Sequence, residues 1–242
     1  MSEKITFFDE LDSTNAYAKR NYACMDDGTA VAALRQTAGR GRLGRSFSSC
    51  DGGLYMTYMI KPGGGETEES ILALTGMTAV AVSRAIRAEC GIEPDIKWTN
   101  DLLIGGKKIC GILAEAGYLG DRLGYIIIGI GVNVNTDTAS FPGEIAETAT
   151  SLIAETGRAT DIRRLASAVV SELDAMRGSG ASIADYAAEY RRKCVTVGRQ
   201  VTVRYGDSTV IGTAAAIDDR FGLVVDTDSG RITVRSGEAT LR

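Results

Sequence analysis

The stretch "GYIIIGIGVNVN", Gly124 to Asn135, restricts the possible folds more than any other in the chain. It is apolar on both faces, and such a strand belongs in the middle of a sheet. The segments before it read as its partners. "DIKW", "DLLI" and "KICGILAEA" are short strands, and the Gly105-Gly106 pair marks a hairpin between two of them. "ITFFDEL", "TAVAALRQ" and "GLYMTYMI" are strands further upstream. Four segments predict helices. "DSTNAYAKRNYACM" has Ser13 or Thr14 as its cap, and "ILALTGMTAVAVSRAIRAEC" is apolar on most faces and therefore buried. "DIRRLASAVVSELDAMRG" and "SIADYAAEYRRKC" are capped by Asp161 and Ser182. After Cys194 the pattern changes to short alternating segments divided by Gly-Asp-Ser and Asp-Ser-Gly turns. That pattern predicts a small antiparallel β domain, a partly open barrel. The expected limits are 1–194 for the larger domain and 195–242 for the smaller.

Composition removes several kinds of function. The chain has 242 residues and a net charge of −4, so a general nucleic-acid binder, and DNA as a partner, are not expected. No apolar run reads as reaching the roughly 20 residues that span a bilayer, and "MSEKITFFDELDS" has no apolar signal core, so no membrane and a cytoplasmic location are expected. Cys24, Cys50, Cys90, Cys110 and Cys194 are scattered without a C-x-x-C pair, which suits reduced thiols and no metal site. There is no histidine, so Ser-His-Asp and Cys-His catalysis are excluded. Chemistry is left to lysine, arginine, carboxylates, amides and backbone N–H groups.

One stretch concentrates such groups. "RQTAGRGRLGRSFSS", Arg35 to Ser49, has no acidic residue and formally matches G-x-G-x-x-G at Gly39, Gly41 and Gly44. A dinucleotide fingerprint or a P-loop must open a helix, whereas a strand follows here, so both are rejected. The composition still favours an anion. Glycines let several N–H groups aim at one point, and arginines add charge-assisted bonds, against the alternative of a merely solvated loop. A second set lies in "IKWTNDLLIGGKKICGILAEA": Lys97, Asn100, Asp101, Lys107 and Lys108 surround a hairpin, and Gly111 allows close approach beside Lys108.

Together, "DSTN", "RQTAGRGRLGRSF", "KWTNDLLIGGKKICGIL" and "IGIGVNVN" resemble the biotin–protein ligases, in order and over nearly the whole chain. The arginine–glycine loop is the most specific piece; the lysine-rich hairpin is shared with lipoate ligases. The resemblance implies an α+β fold: a mixed β-sheet with helices packed on it, like the class II aminoacyl-tRNA synthetases, plus a small C-terminal SH3-like β-barrel. It implies ATP-dependent activation of biotin to biotinyl-5′-AMP, with Mg²⁺, and transfer to a lysine of a biotin carboxyl carrier protein domain of acetyl-CoA carboxylase or a related carboxylase. A chain that begins at the ligase domain resembles the non-regulatory type, which lacks an N-terminal DNA-binding domain. A lipoate–protein ligase and a non-catalytic biotin-sensing module are the competing readings, and a monomer and a homodimer are both compatible.

Residue by residue, the resemblance implies that Ser13, Thr14, Asn15, Gln36, Gly39, Arg40, Gly41, Arg42, Lys108 and Gly111 bind biotin. Arg40, Arg42, Phe47, Asn100, Lys108 and Asn133 would bind the adenylate or ATP, and Arg42, Lys108 and Asp101 would be catalytic. Two positions depart from the family: Thr99 stands where proline is usual, and Phe47 where tryptophan is common.

Overall fold

The computed structural model describes residues 4–63, 68–178, 180 and 182–241. The chain opens with Ile5–Leu11 (β1), Thr14–Asn21 (α1) and Ala30–Gln36 (β2). β1 and β2 pair in parallel, with α1 between them in the chain. Leu54–Ile60 (β3) is followed by the long helix Glu68–Cys90 (α2). Then come Asp95–Lys97 (β4), Asp101–Ile104 (β5), Lys107–Leu119 (β6) and Arg122–Val132 (β7). The seven strands form one sheet in the order β1-β2-β3-β7-β6-β5-β4, antiparallel except for the first pair. β7 is the central strand, as its composition requires.

The alternation along β7 positions everything else. Ile126, Ile128, Ile130 and Val132 point into the main core with Met56 and Tyr58. That face is covered by α2 and by the helices Ile162–Arg177 (α5) and Ile183–Lys193 (α6). α5 buries Leu165, Val169 and Leu173 at helical spacing, each large side chain worth about 1.5–3 kcal/mol. Its cap is Asp161, whose carboxylate accepts from the N–H groups of Arg163 and Arg164 at 2.9 and 3.1 Å. On the other face Ile127 meets Ala18 of α1 with Val31 and Met59, and Tyr125 packs beside them. Gly129 and Gly131 follow on that face. The strand is thus apolar on both sides, as expected, but on the second face its C-terminal half, at Gly129 and Gly131, carries no side chains.

The stretch Ile71–Cys90 of α2 is long and apolar enough to cross a membrane, contrary to the sequence expectation that no run reaches that length. Most of it is buried in the protein, with Val80, Val82 and Ile86 fully inside the core, and that burial accounts for its composition. Two short helices also escaped the sequence reading, Ile145–Thr148 (α3) and Leu152–Thr156 (α4). Each is about one turn, too short for a periodicity to register.

Gln200–Tyr205 (β8), Ser208–Ile217 (β9), Leu223–Thr227 (β10), Gly230–Val234 (β11) and Glu238–Leu241 (β12) form a second, antiparallel sheet in the order β11-β10-β9-β8-β12. It shares its core with the first. Phe221 is fully buried, edge-on to Tyr190 of α6 at 5.2 Å, and its carbonyl accepts from Trp98 Nε1 at 2.8 Å.

Candidate active site

The glycine-lined face of β7 is the floor of a cleft. A Cβ at Gly129 would lie 2.3 Å from Asn15 Oδ1, and one at Gly131 2.6 Å from the Phe47 ring. Gly111 on β6 completes the floor, close to both Phe47 and the Lys108 chain. The space that side chains would fill is given to groups reaching in from three directions.

The first is the N-terminus of α1. Ser13 caps the helix through its side chain, accepting from Ala16 N. Ser13, Thr14 and Asn15 are all buried, and all line the cleft. Gln36 at the end of β2 turns its Oε1 to the backbone N–H of Thr14 at 2.7 Å, while its Nε2 donates to Ser49 Oγ at 2.9 Å. This end is a hydrogen-bonding cradle without net charge.

The second is the arginine loop. It is closed on itself: Arg40 and Ser46 form a bridge, Phe47 N donates to Gly39 O at 2.9 Å, and Gly41 N donates to Arg45 O at 2.8 Å. Leu43 at its tip has φ 54° and is 68% exposed, so the tip packs on nothing that would hold it. Arg42 points inward, with Nη1 2.9 Å from Asn100 Oδ1. Burial pulls the Arg42 guanidinium below its ordinary value, while Asp101 and Glu238 pull the other way. A partly desolvated cation of this kind has much to gain from an anion. Arg45 reaches instead to Glu238 on β12 at 2.6 Å, so the second sheet contributes to the rim.

The third is the β5–β6 hairpin. Lys108 Nζ lies 2.7 Å from Asp101 Oδ1 and 5.7 Å from the centre of the Phe47 ring. Asn100, just before β5, fixes its amide by donating to Ile112 O at 3.0 Å. Thr99, at the family's proline position, is buried, and the Trp98–Thr99 peptide is cis.

Twelve of the residues singled out in the sequence therefore share one cleft: Ser13, Thr14, Asn15, Gln36, Arg40, Gly41, Arg42, Phe47, Asn100, Asp101, Lys108 and Gly111. Gly39 and Asn133 lie outside its lining. Gly39 is a packing point, where a Cβ would meet Ser49 Oγ at 2.4 Å and Phe47 O at 2.5 Å. Asn133 lies behind the cleft. Its Nδ2 donates to Thr150 O at 2.9 Å, and Thr150 N donates to Lys108 O at 2.9 Å, so it braces the strand that carries Lys108. The sequence reading missed Tyr55, Gly129, Gly131, Arg45 and Glu238 as lining residues. The two β7 glycines had a signal, since glycine recurs at one parity of an otherwise bulky strand. Glu238 had none, because only the docking of the second sheet brings it there. The cysteines take no part in the cleft lining; Cys110 is fully buried, and burial pushes its thiol well above the usual range.

An uncharged cradle at one end and a cationic loop with a lysine at the other define a protein that holds a polar head group and presents an anion for chemistry. The comparisons agree. Residues 7–133 match the biotin/lipoate A/B protein ligase family, and residues 196–242 match the biotin protein ligase C terminal domain. The chain is 34% identical, over a 250-residue alignment spanning all of it and 75% of the relative, to the bifunctional ligase/repressor BirA of Bacillus spizizenii. It is 30% identical to the biotin–[acetyl-CoA-carboxylase] ligase of Mycobacterium tuberculosis, over 95% of this chain and 85% of the relative. It superposes on the biotin protein ligase of Aquifex aeolicus in complex with biotin and ATP with a TM-score of 0.85 at 30% identity, covering 98% of each chain. The chain belongs to the biotin protein ligases, within the biotin/lipoate A/B protein ligase family.

Proposed function

We infer that this chain activates biotin with ATP and transfers it to a lysine of a biotin carboxyl carrier domain of acetyl-CoA carboxylase or a related carboxylase, in the cytoplasm. The observation that carries the residue assignments is the polarity of the cleft: Ser13, Thr14 and Gln36 at one end, Arg42 and Lys108 at the other. Biotin lies between them, with its ureido head in the cradle and its carboxylate towards Lys108. Arg40 and Arg42 then face the α-phosphate, and Asn100 orients Arg42.

The first half-reaction needs no histidine. A carboxylate, whose pKa in water is about 4, is already ionised at neutral pH and attacks the α-phosphate directly. What it needs is alignment of two anions and neutralisation of the charge that builds between them, which Arg42, Lys108 and the loop N–H groups supply. The P–O bond to pyrophosphate breaks as the acyl–phosphate bond forms. ATP enters as its magnesium complex. Asp101 and Glu238 line the cleft but are each paired with a cation, and no group of three ligating side chains occurs among the described residues. That donor set suits a Mg²⁺ carried by the phosphates and water.

In the second half-reaction the carrier lysine must lose a proton, since a lysine in water has a pKa of about 10.4. Asp101, beside Lys108 at the mouth of the hairpin, orients or deprotonates it as its nitrogen attacks the acyl carbon and AMP leaves. The deciding experiment is biotin-dependent exchange of label between pyrophosphate and ATP, followed by transfer to a carrier domain. Exchange and transfer with biotin, and none with lipoate, is the expected result; exchange with lipoate alone would overturn the reading.

A further inference from the structure

The cradle beneath Thr14 is connected to the protein surface by a directed chain of hydrogen bonds. At the outer end, Lys19 Nζ lies 2.7 Å from Glu115 Oε1 on β6. The other carboxylate oxygen accepts from Asn15 Nδ2 at 2.8 Å. A carboxylate held against an ammonium accepts hydrogen bonds and donates none. The Asn15 amide nitrogen must therefore face Glu115, and its Oδ1 must face the other way. There Oδ1 meets the Thr57 hydroxyl at 2.5 Å. An amide oxygen has no proton to give, so Thr57 commits its single proton to Asn15. Thr57 Oγ1 is also 2.9 Å from Thr14 Oγ1, and with its proton committed it can only accept there. Thr14 consequently donates inward, either to Thr57 or to Gln36 Oε1 at 3.1 Å. In both cases the Thr14 oxygen turns a lone pair, and no proton, towards the cleft. Thr57 is 0%, Thr14 3% and Asn15 6% exposed, so little water reaches them to relax this polarity. Gly129 belongs to the same device, since any side chain there would displace Asn15.

We propose that Glu115, with Lys19 behind it, is a specificity-determining positioning residue: it fixes the Asn15 amide so that Thr14 accepts an N–H from the ligand's head group. A cyclic urea brings an N–H to that point. A dithiolane or a plain alkyl end brings none, and leaves a buried acceptor unpaired. Glu115 touches no substrate; it acts through Asn15 and Thr57. The inference rests on the biotin-ligase reading above.

The test is Glu115→Gln in biotin-dependent pyrophosphate exchange. A glutamine can donate to Asn15, which allows the amide to turn and the chain to reverse. The KM for biotin should rise by about 10–100-fold, the range for a buried hydrogen-bonding group left mispaired. The KM for ATP, and kcat at saturating biotin, should stay within about twofold, because the loss is confined to ground-state contact with the head group. Dethiobiotin, which keeps the cyclic urea, should lose the same factor as biotin. The double variant Asn15→Asp with Glu115→Gln restores an acceptor facing Thr57 and should recover most of the lost affinity. An unchanged biotin KM in Glu115→Gln overturns the proposal. So do equal losses for biotin and ATP that the double variant does not rescue, which would mark a merely structural role. A wild-type protein without biotin-dependent exchange removes the ligase reading and this inference together; a wild type that exchanges, matched by Glu115→Gln, removes the inference alone.

Discussion

At the residue scale the site is built on a division of charge between two neighbours. Lys108 and Asp101 are 2.7 Å apart, yet the proposed mechanism gives them different half-reactions. Lys108→Ala removes a cation from the developing charge at the α-phosphate. Adenylate formation should slow by about 10²–10³-fold, the usual cost of losing one such donor. Asp101→Asn leaves that cation in place, so pyrophosphate exchange should persist while transfer from preformed biotinyl-5′-AMP falls. Equal loss of both half-reactions in Asp101→Asn would mean that Asp101 acts only by holding Lys108. These residues were legible in the sequence because their chemistry is concentrated in short runs, "GRGRLGR" and "NDLLIGGKK". Asn133, which the resemblance assigns to the adenylate, lies outside the cleft lining. It sits in a conspicuous run, "GIGVNVN", and its Nδ2 donates to Thr150 O. Local sequence shows which residues cluster in the chain, not which side of a strand each occupies when the strand ends in a bend.

At the element scale, β7 and the arginine loop show what periodicity could and could not reveal. The central place of β7 followed from its composition. Its asymmetry depended on reading Ile126, Ile128 and Ile130 separately from Gly129 and Gly131, an alternation concealed by a run in which every residue counts as apolar. The loop was correctly read as lying between strands, because no helical stripe follows it. Its shape was not readable: the Arg40–Ser46 bridge and the inward turn of Arg42 depend on Asn100, far along the chain. The same shape predicts how the loop behaves. Arg42 and Arg45 are each tied at one point, while Leu43 between them is exposed at positive φ. Ordering such a tip costs backbone entropy, which a bound anion repays by gathering its N–H groups and guanidinium groups. Cleavage at Arg40–Arg45 by an arginine-specific protease should slow by at least about tenfold when biotinyl-5′-AMP is bound, with other sites unchanged. Equal cleavage with and without the adenylate would show that the loop does not close.

At the scale of the whole molecule, two sets of ions do different work. One links α2 to α6. Burial works to raise the Glu189 carboxyl, but hydrogen bonds from Arg84 at 2.6 Å and a contact with Lys193 at 3.1 Å outweigh it and hold the group below its ordinary 4.5. A depressed carboxyl contributes stability that is present above its unfolded value and disappears as pH falls through the folded one. Glu189→Gln should therefore lower the urea midpoint at pH 7, and the gap from wild type should be smaller at a pH well below 4.5. A gap that is the same at both pH values would assign the loss to packing.

The other is the Arg45–Glu238 pair, between the arginine loop and the second sheet. Trp98, Tyr190 and Phe221 dock the two sheets through a shared core, whereas Arg45–Glu238 lies at the rim, with side chains 63% and 38% exposed. An exposed pair of this kind is worth at most about 1 kcal/mol and cannot be what holds the second sheet in place. Its position matters more than its strength, because Arg45 is the outer anchor of the loop whose inner arginine, Arg42, is proposed to face the α-phosphate. Glu238→Ala should thus leave the melting temperature nearly unchanged while raising the KM for ATP by about 2–5-fold, the factor that the energy of an exposed pair allows. The exchanged pair, Arg45→Glu with Glu238→Arg, should bring the KM back towards wild type if the anchor is electrostatic. A KM that ignores Glu238→Ala would place the second sheet outside the nucleotide's reach. A large fall in melting temperature would instead make the pair part of the dock.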